Sequence, residues 1–190
     1  MLILASGSPR RSDLLKKHNI DFKVVVSDAD EHAEVTHTPE DAAKSAAMQK
    51  AKAVLPHAKI GDYILAADTI VTLGGEIFEK PKDFADAKRI LSSLSGNTHS
   101  VITGVAIIKK GTPDTVVNEA VSTFVTFYPL SEKQIEDYIA TGEPMDKSGA
   151  YAVQGISKVF VKSVEGDIEN VVGLPTKRVI EILQKMGYKA

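Results

Sequence analysis

Cysteine is absent from the 190-residue chain, and with it go a disulfide framework, a thiolate metal site and a cysteine nucleophile. A long apolar run is also missing. Met1-Leu-Ile-Leu-Ala is too short to span a bilayer or to serve as the apolar part of a secretory signal, and neither end carries a signal-peptide pattern. The expectation is a cytoplasmic protein. Nor is there a basic excess: 23 Lys and Arg stand against 25 Asp and Glu, a net charge of −2. That balance argues against a surface devoted to nucleic acid or anionic membrane, so any cationic site must be local. Repeats, low-complexity tracts and composition breaks are lacking. The length then suits one α/β domain over residues 1–190 better than two domains with separate cores.

What is present is organised around residues 64–81. An apolar, β-branched run turns over at Gly74-Gly75 and returns through Glu-Ile-Phe-Glu-Lys-Pro, which predicts a hairpin. Its first arm carries Asp68. Alternation puts this acid on the same side as Ile64, Ala66 and Ile70, so either that face opens into a cleft or the carboxylate meets a cation or metal ion. Lys80 returns on the second arm, and Pro81 fixes the backbone where the strand leaves the sheet. A structurally paired acid is the alternative reading of Asp68.

Three other stretches bear on chemistry. The strand at residues 2–5 runs into Ser6-Gly7-Ser8-Pro9-Arg10-Arg11 and then a helix. Ser8 can cap that helix and Pro9 suits its first position, leaving backbone N–H groups and two arginines disposed to meet an anion. The spacing is not that of a P-loop, and the arginines equally fit a solvated first turn. After a strand at residues 22–26, an acidic loop offers Asp28, Asp30, Glu31, His32 and Glu34 as metal ligands without the EF-hand spacing, and a solvated charge run is the alternative. Thr38-Pro39-Glu40-Asp41 then starts a helix to about residue 55. Ala43, Ala46, Ala47, Ala51 and Val54 form one arc of it; Lys50 falls inside this arc, facing the body, whereas Lys52 points away.

Downstream, Asp83 caps a helix whose stripe is Phe84, Ala87, Leu91 and Leu94. Residues 98–108 and 115–127 read as paired strands, with His99 near their start read as an ordinary loop residue in preference to a hydrogen-bond donor supporting a site. Ser131 and Gln134 make a capping box for a helix that stops at Gly142. The segment from Glu143 to Gly155 mixes acid, base, amide and aromatic with no period, which fits a functional loop. Residues 157–164 read as a strand, Gly166-Asp167 as a turn, and Gly173-Leu174-Pro175 introduces a last helix. These residues point to a mixed α/β enzyme of phosphoesters or nucleotides.

The ordered set of Ser6-Gly7-Ser8-Pro9-Arg10-Arg11, Ala67-Asp68-Thr69, Lys80-Pro81, Ser95-Gly96-x-x-His99, Thr103-Gly104-Val105, Asp146-Lys147-x-Gly149-x-Tyr151-x-x-Gln154-Gly155 and Val172-Gly173-Leu174-Pro175 resembles the Maf family of nucleotide pyrophosphatases. The resemblance covers nearly the whole chain. It departs at Ala66, where glycine is usual, and at Ser148, where alanine is usual. It implies an α/β fold with an elongated mixed β-sheet flanked by helices, similar to that of the inosine triphosphate pyrophosphatases. It also implies cleavage of a nucleoside triphosphate between its α and β phosphates with a divalent cation, Mg2+ or Mn2+. On this resemblance Asp68 is the base that prepares water, and Glu31 is a second carboxylate for the metal. Arg11, Lys50 and Lys80 neutralise phosphate charge, and the Ser8 hydroxyl completes the cradle. Members preferring dTTP and UTP resemble this chain at Arg10, Thr69 and Gln154, whereas members acting on 7-methyl-GTP carry an aromatic, Gln and Glu there. A homodimer is also implied, and a non-catalytic role in regulating septum formation is the alternative.

Overall fold

The computed structural model describes residues 1–27 and 38–189, so the acidic segment with Asp28, Asp30, Glu31, His32 and Glu34 lies outside the described residues. The strands are β1 (Leu2–Leu4), β2 (Phe22–Val24), β3 (Tyr63–Leu73), β4 (Glu76–Phe78), β5 (Thr98–Lys109), β6 (Thr115–Phe127) and β7 (Val161–Glu165). The helices are α1 (Pro9–Lys17), α2 (Pro39–Val54), α3 (Phe84–Leu94), α4 (Glu132–Ala140), α5 (Ile168–Val172) and α6 (Thr176–Lys185). The strands form one seven-stranded sheet in the order β2-β1-β3-β5-β6-β7, with β4 paired to β3. The sheet is mixed, as expected: β1 runs parallel to β2 and β3, whereas β4 is antiparallel to β3 and β7 to β6.

The chain divides into two compact units. The first comprises Met1–Asp68, Thr103–Val121 and Gly173–Ala190, and the second Thr69–Ile102 and Ser122–Val172. In the first unit, strand residues two apart (Ile3 and Ala5, Ile64 and Ala66, Ala106 and Ile108) pack with Ala47, Ala51 and Val54 of α2. Period 2 on the sheet thus meets a 3.6-residue period on the helix. The small helix residues permit close approach. At Gly104 of β5 an added Cβ would lie 2.0 Å from the carbonyl oxygen of Ala43, so only hydrogen fits there and the glycine fixes how near α2 sits to the strand. Tyr63 donates to the Met186 carbonyl at the end of α6 (3.0 Å). The consecutive lysines at the end of β5 reach different helix ends, Lys109 donating to the Met186 carbonyl and Lys110 to those of Leu55 and Ala58, which satisfies terminal carbonyls with cations.

The second unit has its own core, in which Ala87, Ile90, Leu91 and Leu94 of α3 pack with Phe78, Phe127 and Tyr151. Asp83 caps α3 through the Asp86 N–H, and Ser131 and Gln134 form the expected capping box on α4. Phe84 departs from the expected stripe: it is exposed, because the buried face is carried by Ile90 instead. The predicted hairpin is present, with β3 and β4 joined at Gly74 and Gly75, whose φ angles of +60° and +89° suit glycine. The expected strand at 157–164 instead begins with a 3₁₀ turn (Ile156–Phe160) before β7. The turn at Gly166-Asp167 leads into α5, where the Asp167 carboxylate accepts from the Glu169 N–H (2.8 Å) and the buried Asn170 amide donates to the Val101 carbonyl (3.1 Å).

Candidate active site

In the first unit, the loop from β1 to α1 is built on Ser6 rather than Ser8. Pro9 occupies the first helical position as expected, but the Ser8 hydroxyl makes no capping bond. The buried Ser6 Oγ accepts from the Ser8 N–H (3.2 Å) and from Arg11 Nη1 (3.0 Å), while Arg11 Nε donates to the Gly173 carbonyl (2.9 Å). A hydroxyl bonding the N–H two residues on is a compact turn, and here it also holds a guanidinium. Two bonds in one plane fix that guanidinium's orientation. The hub role of Ser6 and the carbonyl of Gly173 were not read from the sequence; the Ser-x-Ser spacing before a Ser-Pro helix start is the signal for the first. Arg10 lies on the same first turn, half-buried.

The cation that meets Asp68 is Lys50. Its Nζ lies 2.7 Å from Asp68 Oδ1, with the two side chains 13% and 22% exposed. Helical spacing explains the meeting: Lys50 falls between Ala47 and Ala51, which pack on the strand face carrying Ile64 and Ala66, and alternation puts Asp68 on that same face. The methyl of Ala66, where the resembled family has glycine, is absorbed in this packing with no exposure.

Thr69, Lys80 and Gln154 belong to the second unit. Thr69 is half-buried in β3. Lys80 is exposed in the bend after β4, since the ladder with β3 ends at the Val71–Phe78 pair, and Pro81 beside it is buried. Gln154 is exposed on the irregular segment that the sequence marks as a functional loop. This segment is tightly held. Gly149 has φ +72°, an added Cβ there would lie 2.7 Å from Val71 Cγ2, and its N–H donates to the Glu79 carbonyl (3.2 Å). The next residue, Ala150, is fully buried with φ +59°, a conformation that costs a non-glycine residue about 1 kcal/mol.

His99 corrects the expectation of a loop residue. It lies in β5, 1% exposed, with Nε2 2.7 Å from the Tyr151 hydroxyl. Its ring meets Phe127 and Tyr151 edge to face, and Nδ1 has no partner among the described residues. Burial pushes the imidazole down to about 4 and the Tyr151 phenol up, so both are neutral at pH 7. Neutral, buried and bonded to each other, they anchor the start of the Gln154 loop.

The described residues contain no group of three or more His, Cys, Asp and Glu arranged for a metal ion. No helix among them is long and apolar enough to cross a membrane. The first unit thus carries both the Lys50–Asp68 pair and Arg11 held by Ser6 and Gly173. The chain matches the family described as Maf-like protein over residues 1–186. It is 46% identical over 187 residues to the dTTP/UTP pyrophosphatase of Symbiobacterium thermophilum, covering 98% of this chain and 94% of that one. It is also 46% identical over 187 residues to the dTTP/UTP pyrophosphatase of a Geobacillus species, covering 98% of each. The Ham1 protein of Staphylococcus aureus aligns over 97% of this chain and 96% of that one, at 15% identity and a TM-score of 0.48. This chain belongs to the Maf family.

Proposed function

We propose that this protein is a nucleoside triphosphate pyrophosphatase that hydrolyses dTTP and UTP between the α and β phosphates, giving the monophosphate and pyrophosphate. The observation that carries this reading is the 2.7 Å Lys50–Asp68 pair, found in a chain 46% identical over 98% of its length to a dTTP/UTP pyrophosphatase. A protein that only senses nucleotide needs the cations but not a carboxylate held ready beside one of them, which speaks against the regulatory alternative.

In the proposed reaction, Asp68 accepts a proton from water as its oxygen attacks phosphorus and the bond to the α–β bridging oxygen breaks. Lys50 orients the carboxylate and, with Arg11 and Lys80, offsets the charge that builds on the phosphates. The Ser8 hydroxyl and the N–H groups at the start of α1 bind phosphate oxygens. The donor set fits a divalent ion of the Mg2+ or Mn2+ type: Asp68 is a hard carboxylate donor, and such ions are held by one or two carboxylates together with substrate phosphates rather than by an all-protein cage. Asp68 and Glu31 would hold it. The ion would supply further charge neutralisation and make water a better nucleophile.

Gln154 is proposed to read the base, because an amide pairs through both donor and acceptor with a uracil or thymine edge, whereas a carboxylate suits a cationic methylated guanine. Thr69 and Arg10 shape the same choice. The test is kcat/KM for UTP, dTTP, CTP, GTP and 7-methyl-GTP on the wild type and Gln154→Glu at fixed metal. The wild type is expected to prefer UTP and dTTP, and the substitution to reduce that preference. A wild-type preference for 7-methyl-GTP would move the protein to the other branch of its family, and nucleotide binding without turnover would favour the sensor. A cytoplasmic homodimer completes the proposal; a monomer mass in light scattering would contradict the dimer.

A further inference from the structure

We propose that Ser157 is a positioning residue for substrate selection, closing the loop that holds Gln154 in its reading position. The proposal rests on the reading of Gln154 as the residue that recognises the base.

The residue Ser157 has no exposed surface. Its Oγ donates to the Ala152 carbonyl (2.9 Å) and accepts from the Ala152 N–H (3.0 Å). One hydroxyl therefore bonds both backbone groups of a residue five positions earlier and ties the intervening chain into a ring. Inside that ring Val153 is buried, whereas Gln154 is exposed. A second clasp holds the same ring from Glu143. Gly155 has φ +121°, and an added Cβ would meet Glu143 Oε1 at 2.5 Å, so the carboxylate lies against the glycine. Glu143 Oε2 accepts from the Ile156 N–H (3.2 Å). The start of the ring is anchored by Tyr151 on His99 (2.7 Å).

The consequence is energetic. Ordering a backbone residue costs roughly 1–2 kcal/mol, and a ring already ordered by Ser157 and Glu143 incurs that cost during folding. Gln154 can then meet a base edge without ordering its own backbone on binding. The alternative is that the serine merely satisfies the Ala152 backbone. The two accounts differ in which substrates suffer when the hydroxyl is lost.

The experiment measures kcat and KM for UTP and GTP, with thermal melts, on the wild type, Ser157→Ala, Gln154→Ala and the double variant. Ser157→Ala is expected to lower UTP-over-GTP selectivity by about tenfold, mainly through a higher KM for UTP, and to change selectivity no further once Gln154 is alanine. Glu143→Ala is expected to act in the same direction. Glu143→Gln, which keeps an oxygen for the Ile156 N–H, should restore selectivity, and this pair decides the question if Ser157→Ala fails to fold. Equal losses for UTP and GTP in Ser157→Ala, or additive effects in the double variant, would overturn the proposal. Selectivity lost in Gln154→Ala but kept in Ser157→Ala and Glu143→Ala overturns this proposal alone. Selectivity kept in Gln154→Ala overturns the reading of Gln154 together with it.

Discussion

Lys50 Nζ and Asp68 Oδ1 stand 2.7 Å apart, joining α2 to β3 with both side chains largely shielded from solvent. A pair so placed does two things: it fixes the direction of the carboxylate, and it keeps a cation next to the group that would receive a proton. Lys50→Ala is expected to lower kcat/KM for UTP by at least about 100-fold, because a charged hydrogen bond is lost where charge develops. The melting temperature should move by only a few degrees. A variant that simply unfolds would make the pair a structural one.

Gly104 sets the position from which Lys50 reaches. A methyl at this position would overlap the backbone of Ala43, 2.0 Å from its carbonyl oxygen, and backbone cannot swing aside as a side chain can. Gly104→Ala is therefore expected to destabilise the protein by about 3 kcal/mol or more. Urea denaturation measures it. A change within about 0.5 kcal/mol, typical of tolerated surface positions, would show that the helix-to-strand approach is softer than this packing implies.

The buried His99 makes stability depend on pH. Its imidazole is held down to about 4 by burial, against an ordinary value of 6.5. Between these values the unfolded chain binds a proton that the folded chain does not, so stability falls as pH drops from 6.5 towards 4 and is fully present above 6.5. The shift corresponds to roughly 3 kcal/mol. His99→Phe is expected to lower stability at neutral pH by leaving the Tyr151 hydroxyl unpaired, but its slope between pH 6.5 and 4 should be shallower than that of the wild type. Equal slopes in denaturation series would contradict the assignment.

Lys80 offers a contrast with Lys50. It is exposed in the bend after β4. Lys80→Ala should leave the melting temperature within about 2 °C, since surface changes are usually within ±0.5 kcal/mol. It should raise KM for UTP, and more so at low salt, where an exposed cation acts over a longer range. An unchanged KM would remove Lys80 from the phosphate-binding set.

Much of this was legible in the sequence where a local rule acts alone. The Thr38 cap, the Gly74-Gly75 turn and the Ala-rich face of α2 each follow from chemistry within a few residues, and helical period alone puts Lys50 on the inward face. The sequence leaves the partner of Asp68 open between a metal ion and a cation, because the meeting brings together residues 18 apart in the chain on two different elements. Ser6 displaced Ser8 as the hub of the first loop because a hydroxyl can turn to either side, and only the incoming Arg11 decides which serine is used. His99 looked like a loop residue beside Gly96-Asn97, yet its place was set by Tyr151 and Phe127 from distant parts of the chain. The apolar neighbours of Ser157 suit a strand, but its hydroxyl folds the chain back on Ala152.

The most direct test of the central claim is pyrophosphate release from UTP, followed with product analysis, for the wild type and Asp68→Asn at saturating Mg2+. The substitution keeps the shape of the side chain and an oxygen for Lys50 but removes the proton acceptor. The wild type should release one pyrophosphate for each UMP formed. Asp68→Asn should show no turnover above background while still binding UTP and melting within a few degrees of the wild type. Comparable turnover by Asp68→Asn, or a wild type that releases orthophosphate instead of pyrophosphate, would contradict the account.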